Sequence, residues 1–394
     1  MEYTTLGEVC TIKSSKRIYQ SDYLEKGIPF YRGKEISQLS RGEKLDVELY
    51  ISENKYSELK DKFGKVQKGD LLITSVGTIG NTWVSDGRDF YYKDGNITQI
   101  VKNDNINTKF LHYLFKSNII KRQYSKGTSG TAQVALTIEK LKKIKIPKVP
   151  LEYQIKTVKL LEKSQELIDK RKEQIGDLDL LVKSKFIEMF GELKTNKNKF
   201  RIVELESLTT KITDGVHSKP EYMPEGVEFI SVKDINKGNL DFSECKYISR
   251  EAHESYIKRC KPEKGDILYT KVGATYGIPA IVDTDKEFSL YVSVALIKLK
   301  KGIVNPIYIK EALRSVDVKR QADRQVKGIG VPDLHLVEIK KFNIFNPPIE
   351  LQNQFADFVK QVDKLKFEME KSLKELEDNF NSLMQKAFKG ELFN

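Results

Sequence analysis

The chain has 394 residues, of which 39% are hydrophobic and 31% charged, and its formal net charge at pH 7 is +12. That length makes two or three domains, each able to bury a core, and neither a run of about 18 apolar residues nor a basic-then-apolar leader is present, which argues against a helical membrane protein or a signal-bearing one. The positive balance points to a polyanionic partner, while Cys10, Cys245 and Cys260, odd in number and outside any CxxC spacing, point to a reducing, cytoplasmic setting and away from a zinc knuckle.

Taken from the amino end, the first 148 residues read as short strands and turns. Runs rich in β-branched and aromatic residues at 71–74 and 96–101 are cut by Gly, Asn and Asp, and apolar spacing over 108–116 predicts one short helix. After Lys148, Val149 and Pro150 the period becomes that of a long helix, with Leu161, Ile168, Ile175, Val182 and Met189 each seven residues apart. Its second line, Ser164, Arg171, Leu178 and Lys185, is mostly polar, and Gly176 costs this helix about 1 kcal/mol in propensity with no visible compensation.

The same order then returns. Strands are expected at 228–232, 267–270 and 290–299, and a short helix at 306–313 with Pro306 tolerated in its first turn. Beyond Pro347, Pro348 and Ile349 comes a second long helix with the seam Phe355, Val359, Val362, Lys366, Met369, Leu373, Leu376, Phe380, Leu383 and Ala387, in which Lys366 is the polar step. A helix of about 35 residues is about 50 Å long and cannot hide a continuous stripe against one small domain. The two are therefore expected to lie against each other as an antiparallel coiled coil with a domain at either end; the alternative is that each packs separately on its own domain.

The recurrence is literal in places. Val66 to Gly80 reads VQKGDLLITSVGTIG, and Glu263 to Gly277 reads EKGDILYTKVGATYG, with Gly69 and Asp70 returning as Gly265 and Asp266. Ile146, Pro150, Glu152 and Gln154 return at one offset as Ile344, Pro348, Glu350 and Gln352. Matches in one order and near one offset mark an internal duplication. The expected fold is α+β: two similar mixed α/β domains at 1–149 and 198–347, alternating with helical segments at 150–197 and 348–394, related by a pseudo-two-fold repeat. Asp70 and Asp266, beside glycines at turns, are expected to make Asx-turn bonds.

Catalytic chemistry finds little support. His112, His217, His253 and His335 are scattered, no HExxH, GxSxG or GxxxxGK(S/T) occurs, and Gly77, Gly80, Gly273 and Gly277 lack the context of a nucleotide loop. Asn346, Pro347, Pro348 and Ile349 echo the NPP(Y/F) tetrapeptide of adenine methyltransferases, but the fourth residue offers no ring for a flipped base. That segment reads instead as the turn launching the last helix. No catalytic residue, cofactor or metal ligand set is expected. The 18 Tyr and 19 Phe are expected mainly in cores.

Together, GIPFYRGKEI at 27–36 with GVEFISVKDI at 226–235, the paired KGD(L/I)L segments, Thr213-Asp214-Gly215-Val216-His217, the stretch from Ile344 to Gln352, and Phe186 to Gly191 echoed by Met384 to Leu392 resemble the specificity (S) subunit, HsdS, of Type I restriction-modification enzymes. The resemblance covers the whole chain. It implies two target-recognition domains, each reading one half of a split sequence in double-stranded DNA, on a frame that binds two modification (methyltransferase) subunits for adenine methylation. Translocation and cleavage would belong to restriction subunits, whose presence stays open. The first half departs from the pattern: Thr11-Ile12-Lys13-Ser14-Ser15 stands near the place of the second half's TDGVH.

Under that resemblance the basic residues Lys121, Arg122, Lys211, Lys319 and Arg320 are expected at phosphates, which give salt-sensitive affinity without sequence information. Base reading is expected from Arg32, Lys34, Ser75, Thr78, Ser129, Thr131 and Gln133 in the first domain. In the second it is expected from Asp214, His217, Ser218, Lys219, Lys233, Lys271, Thr275, Arg324 and Lys327. For each, an ordinary solvated role is the alternative. The rival for the whole chain is a two-domain coiled-coil scaffold for proteins, without sequence-specific DNA binding.

Overall fold

Strand-forming runs assemble into the same two principal sheets twice. The computed structural model describes residues 2–125, 135–236, 238–326 and 330–393, and the chain forms two compact units, one of Met1–Lys172 with Lys371–Asn394, the other of Glu173–Glu370. In the first unit an antiparallel four-stranded sheet has the order Ile12–Lys13, Ile97–Ile100, Leu71–Thr74, Thr82–Val84. Leu71 to Thr74 is buried along its whole length, which is why it reads as an unbroken apolar run rather than an alternating one. A second sheet has the order Tyr50–Ile51, Ile28–Tyr31, Tyr91–Tyr92, its last pairing parallel.

The second unit repeats this arrangement. Its four strands run Thr209–Asp214, Val294–Leu299, Ile267–Thr270, Pro279–Ile281, and its three run Lys246–Ile248, Val227–Ile230, Phe288–Leu290, again with the last pairing parallel. The helices Thr108–Lys116 and Pro306–Arg314 are each opened by an asparagine: Asn107 accepts from the amides of Lys109 and Phe110, and Asn305 from that of Ile307.

Single side chains do the same job in both halves. Gln154 accepts from the amide of Asn107 at 2.8 Å and donates to the carbonyl of Val149, as Gln352 accepts from Asn305 at 2.9 Å and donates to Pro347. Gln123 closes a ring of two bonds with the backbone of Lys145, and Gln321 does so with Asn343. The Asp70 and Asp266 carboxylates bond the turns in which they stand, but backward, accepting from the amides of Gln67 (2.7 Å) and Glu263 (2.8 Å) three residues earlier instead of reaching forward. Gly69 and Gly265, at φ 95° and 92°, supply the left-handed residue these turns need.

The long helices are Leu151–Phe190 and Ile349–Phe388, 40 residues each. They exceed the expected length because each begins directly behind its proline and continues to a fully buried phenylalanine, Phe190 or Phe388. Each passes from one unit into the other, and in both units they pair antiparallel. In the first unit the Tyr153 hydroxyl donates to the Ala387 carbonyl at 2.9 Å, Lys172 meets Glu377 at 2.8 Å, and Leu161 and Ile168 share a core with Phe380 and Phe388. In the second, Phe186 packs on Phe355 with ring centroids 5.5 Å apart, and Leu178 and Val182 share a core with Val359 and Val362.

The helices thus pair with each other and pack on the sheets as well. Ile175, Met189, Met369, Leu373, Leu376 and Leu383 are half-buried, and the other apolar seam residues are buried. Lys366, the polar step of the seam, bonds Asp179 of the other helix at 2.8 Å. Gly176 faces open space, since a Cβ built on it meets nothing within 4 Å. Gly176→Ala is therefore expected to raise the unfolding free energy by about 1 kcal/mol, measured by urea denaturation. A loss of stability would show that the helix needs glycine there.

Candidate nucleic-acid interface

The loops that follow the central strands are built on one plan and carry different chemistry. In the first unit, the Thr74 hydroxyl donates to the Thr78 carbonyl and accepts from the Asn81 amide, and the Gly80 amide donates to the Thr74 carbonyl at 2.9 Å. In the second, the Thr270 hydroxyl donates to the Thr275 carbonyl at 2.7 Å and accepts from the Ile278 amide, and the Gly277 amide donates to the Thr270 carbonyl. A further main-chain bond ties each loop to a later segment, Leu136 to the Ser75 carbonyl and Leu334 to the Lys271 carbonyl.

On the first loop Thr78 is exposed and its hydroxyl lies 3.0 Å from that of Ser37, which also accepts from the Asn81 amide group. Ser75 is 3% exposed and bonded to the Thr98 hydroxyl at 2.8 Å, so it is corrected from a reading residue to part of the sheet. Arg32 opens the helix Gly33–Ser40 and is held by Glu35 and Glu48 at 2.9 and 2.8 Å, while Lys34 bonds Asp46 and Glu48. Lys34 and then Arg32 hold the Glu48 carboxyl down at about 2. Lys121 and Arg122 are exposed on the helix Asn118–Ser125.

The second unit concentrates charge. Asp214, at the end of its strand, is 3% exposed, and its carboxylate meets His217 Nε2 at 3.2 Å, an Nη of Arg259, and Lys271 Nζ at 3.6 Å. Lys271, 5% exposed, is shared with Asp333 at 3.6 Å. Burial removes both Asp214 and Lys271 from the set that reaches a ligand directly, because each is committed to a partner inside the protein. His217, Ser218, Lys219 and Thr275 are exposed.

Lys319 stands 3.6 Å over the Tyr276 ring and bonds Asp323 at 2.7 Å, and the Tyr276 hydroxyl donates to the same carboxylate, bracing the loop against the helix Val316–Gln325. Lys319 and then Tyr276 hold the Asp323 carboxyl below its usual range. Arg320 and Arg324 are exposed on that helix. Lys211 donates to the Arg259 carbonyl at 2.5 Å and Lys233 to that of Glu244 at 3.3 Å. Ser129, Thr131, Gln133 and Lys327 lie outside the described residues.

The structure thus brings Asp214, His217 and Lys271 together and adds Arg259, which sequence reasoning missed. Its available signal was the basic run Lys258, Arg259 and Lys261 just ahead of the second KGD turn. Among the described residues no group of His, Cys, Asp and Glu is arranged to hold a metal ion, and no helix is long and apolar enough to cross a membrane.

His112 illustrates the opposite use of a histidine. Its Nδ1 lies 2.9 Å from the Thr82 hydroxyl, and burial pushes its pKa down to about 3. Below the ordinary histidine value near 6.5 the unfolded chain takes up a proton that the folded site refuses. Stability is therefore expected to fall as pH drops from about 6.5 toward 3, by up to about 1.4 kcal/mol per pH unit from this group. Chemical denaturation of His112→Asn at several pH values checks it: the variant's stability should depend less on pH below 6.5, and parallel profiles would show that His112 is not held neutral.

A model of the Type I restriction modification DNA specificity domain matches residues 1–177 and again 197–378. A Haemophilus influenzae protein provisionally named as type I restriction enzyme specificity subunit S.HindORF215P is 35% identical over 193 residues, covering 48% of this chain and 47% of that protein. The type I restriction enzyme EcoBI specificity subunit of Escherichia coli is 31% identical over 182 residues, covering 45% of this chain and 38% of that protein. The matched region thus spans less than half the length of each of these two curated relatives. A chain solved in work on the structural basis of complex assembly and conformational transition of the type I R-M system shares the fold, with a TM-score of 0.61 at 18% identity over 99% of this chain and 98% of that one.

Proposed function

The chain belongs to the Type I restriction modification DNA specificity domain family, and from that membership we propose that it is the non-catalytic, DNA-reading subunit of a cytoplasmic Type I restriction-modification complex. The observation that carries the reading is one family model matching both halves, in step with the internal repeat. Each recognition domain, 1–149 and 198–347, reads one part of a split target in double-stranded DNA. The helical segments 150–197 and 348–394 set the gap between the parts and receive two modification subunits, which bring the methyl donor and act on adenine. Where the complex also cleaves, restriction subunits carry translocation and cutting.

Affinity and specificity divide between different side chains. Exposed cations on the helices after the loops, Lys121, Arg122, Arg320 and Arg324, suit phosphates, whose contacts hold the protein on the duplex without choosing a sequence. Exposed polar and basic groups on the loops, Thr78, His217, Ser218, Lys219, Lys233 and Thr275, suit base edges, where donor and acceptor patterns differ.

The test is co-purification with a modification subunit followed by sequencing of methylated sites. The expected result is a two-part motif with one fixed gap; scattered methylation, or none, counts against the reading and in favour of a protein scaffold. Adding one heptad to both long helices lengthens each by about 10 Å. It should widen the gap by about 3 base pairs at roughly 3.4 Å each and leave both half-motifs as they were. An unchanged gap would refute the role of the helices as a spacer.

A further inference from the structure

The TDGVH segment has a physical logic of its own. At Gly215 two backbones approach so closely that a Cβ would lie 1.9 Å from the Leu290 carbonyl oxygen, and the Val216 amide donates to that same carbonyl at 2.9 Å. Only glycine allows the approach, and it seats the preceding Asp214 in the interior. A buried carboxylate must be matched, and Asp214 is matched by two cations, Lys271 and Arg259, and by the His217 ring, whose Nε2 lies 3.2 Å away. Lys271 is buried with it, whereas the Arg259 and His217 side chains are 54% and 63% exposed. A hollow of about 140 Å³ opens beside Arg259, lined in part by Asp214, Gly215, Tyr256 and Leu290.

The first unit shows that the frame does not need this cluster. Lys13 pairs with Gln99 as Thr213 pairs with Leu296, so Ser14 stands where Asp214 stands. Ser75 occupies the place of Lys271 and is satisfied by a hydroxyl, Thr98. The same sheet closes there with neutral groups, so the charges of the second unit serve something other than the fold.

We propose that Arg259 is a specificity determinant of the second unit, its guanidinium fork aimed by the buried Asp214 to read O6 and N7 of a guanine in the major groove. Asp214 is the positioning residue and does not itself touch DNA. A phosphate needs only a mobile positive charge, which Lys supplies. Bidentate reading of a base edge needs a planar fork held in one orientation, and a carboxylate fixed in the interior provides that. The inference rests on the reading of the chain as a DNA-specificity subunit.

The complex of the full chain with its modification subunit is tested by methylation-site sequencing and by competition binding against duplexes changed one base pair at a time. Arg259→Lys keeps the charge and loses the fork; it should reduce discrimination at one G·C pair of one half-motif by about 10-fold to 100-fold, with the other half-motif, the gap and the salt dependence unchanged. Asp214→Asn should relax that same pair, an effect that general loosening of the fold would not confine to one position. The inference is overturned if Arg259→Lys keeps full discrimination, or if Arg259→Ala weakens every duplex alike and lowers the salt slope by about one, as a phosphate contact would. A wild-type complex with no two-part motif removes the functional reading itself, and the inference with it.

Discussion

Covering the apolar seams of the two long helices is the constraint on which the other parts depend. The apolar stripe of a long amphipathic helix stays in contact with water unless another surface covers it, and here that surface is shared between the partner helix and the sheet domains. Phe388 meets Phe110 and Phe380 meets Tyr113 in the first unit; Phe186 and Phe190 each pack on both Tyr308 and Phe355 in the second. Each such ring contributes on the order of 1.5–3 kcal/mol when fully buried. The helices are therefore components of both domain cores, and Gln154 and Gln352 bond each helix start to the short helix beside it.

What the sequence disclosed was whatever repeats locally. The duplicated KGD turns, the short helices at 108–116 and 306–313 and the seven-residue steps of the seam all depend on neighbours within a few positions, and the structure contains each of them. The groups that escaped depend on contacts far along the chain. Arg259 reaches Asp214 across 45 positions, Lys366 reaches Asp179 across 187, and Arg32 and Lys34 find Glu48 across 16 and 14. A polar residue in a loop looks the same in sequence whether it ends in water or beneath a carboxylate, and that is why Ser75, Asp214 and Lys271 read as surface. Asp70 shows the milder form of the same limit: its residue type announced a turn bond, but the direction of that bond depends on the backbone path.

The two units separate frame from surface. Their shared bonds are made by the main chain or by side chains that recur, such as Thr74 and Thr270, or Gln123 and Gln321. Their differences lie in side chains that these bonds leave out. An aromatic ring backs the glycine-bounded loop in both, yet it comes from opposite partners: Tyr124 on the helix presses where a Cβ of Gly80 would lie, whereas in the second unit Tyr276 comes from the loop itself and is held by Lys319 and Asp323. Divergence of this kind changes what a loop presents while leaving its anchorage intact.

Burial then sorts the charged residues more sharply than pairing does. Lys34 is paired, but it and its partners Asp46 and Glu48 stand in water, which screens such contacts so well that a phosphate can replace a carboxylate at little cost. Lys271 is paired with Asp214 where both side chains are almost wholly enclosed, and drawing either one out would strand the other without solvent. Arg259 falls between these cases: one guanidinium nitrogen is bonded to the buried Asp214 carboxylate, while the side chain as a whole is 54% exposed. A group anchored at one end and free at the other keeps its orientation when a ligand arrives, which an exposed lysine does not, and it is this asymmetry that distinguishes a side chain able to choose among base pairs from one that only adds attraction.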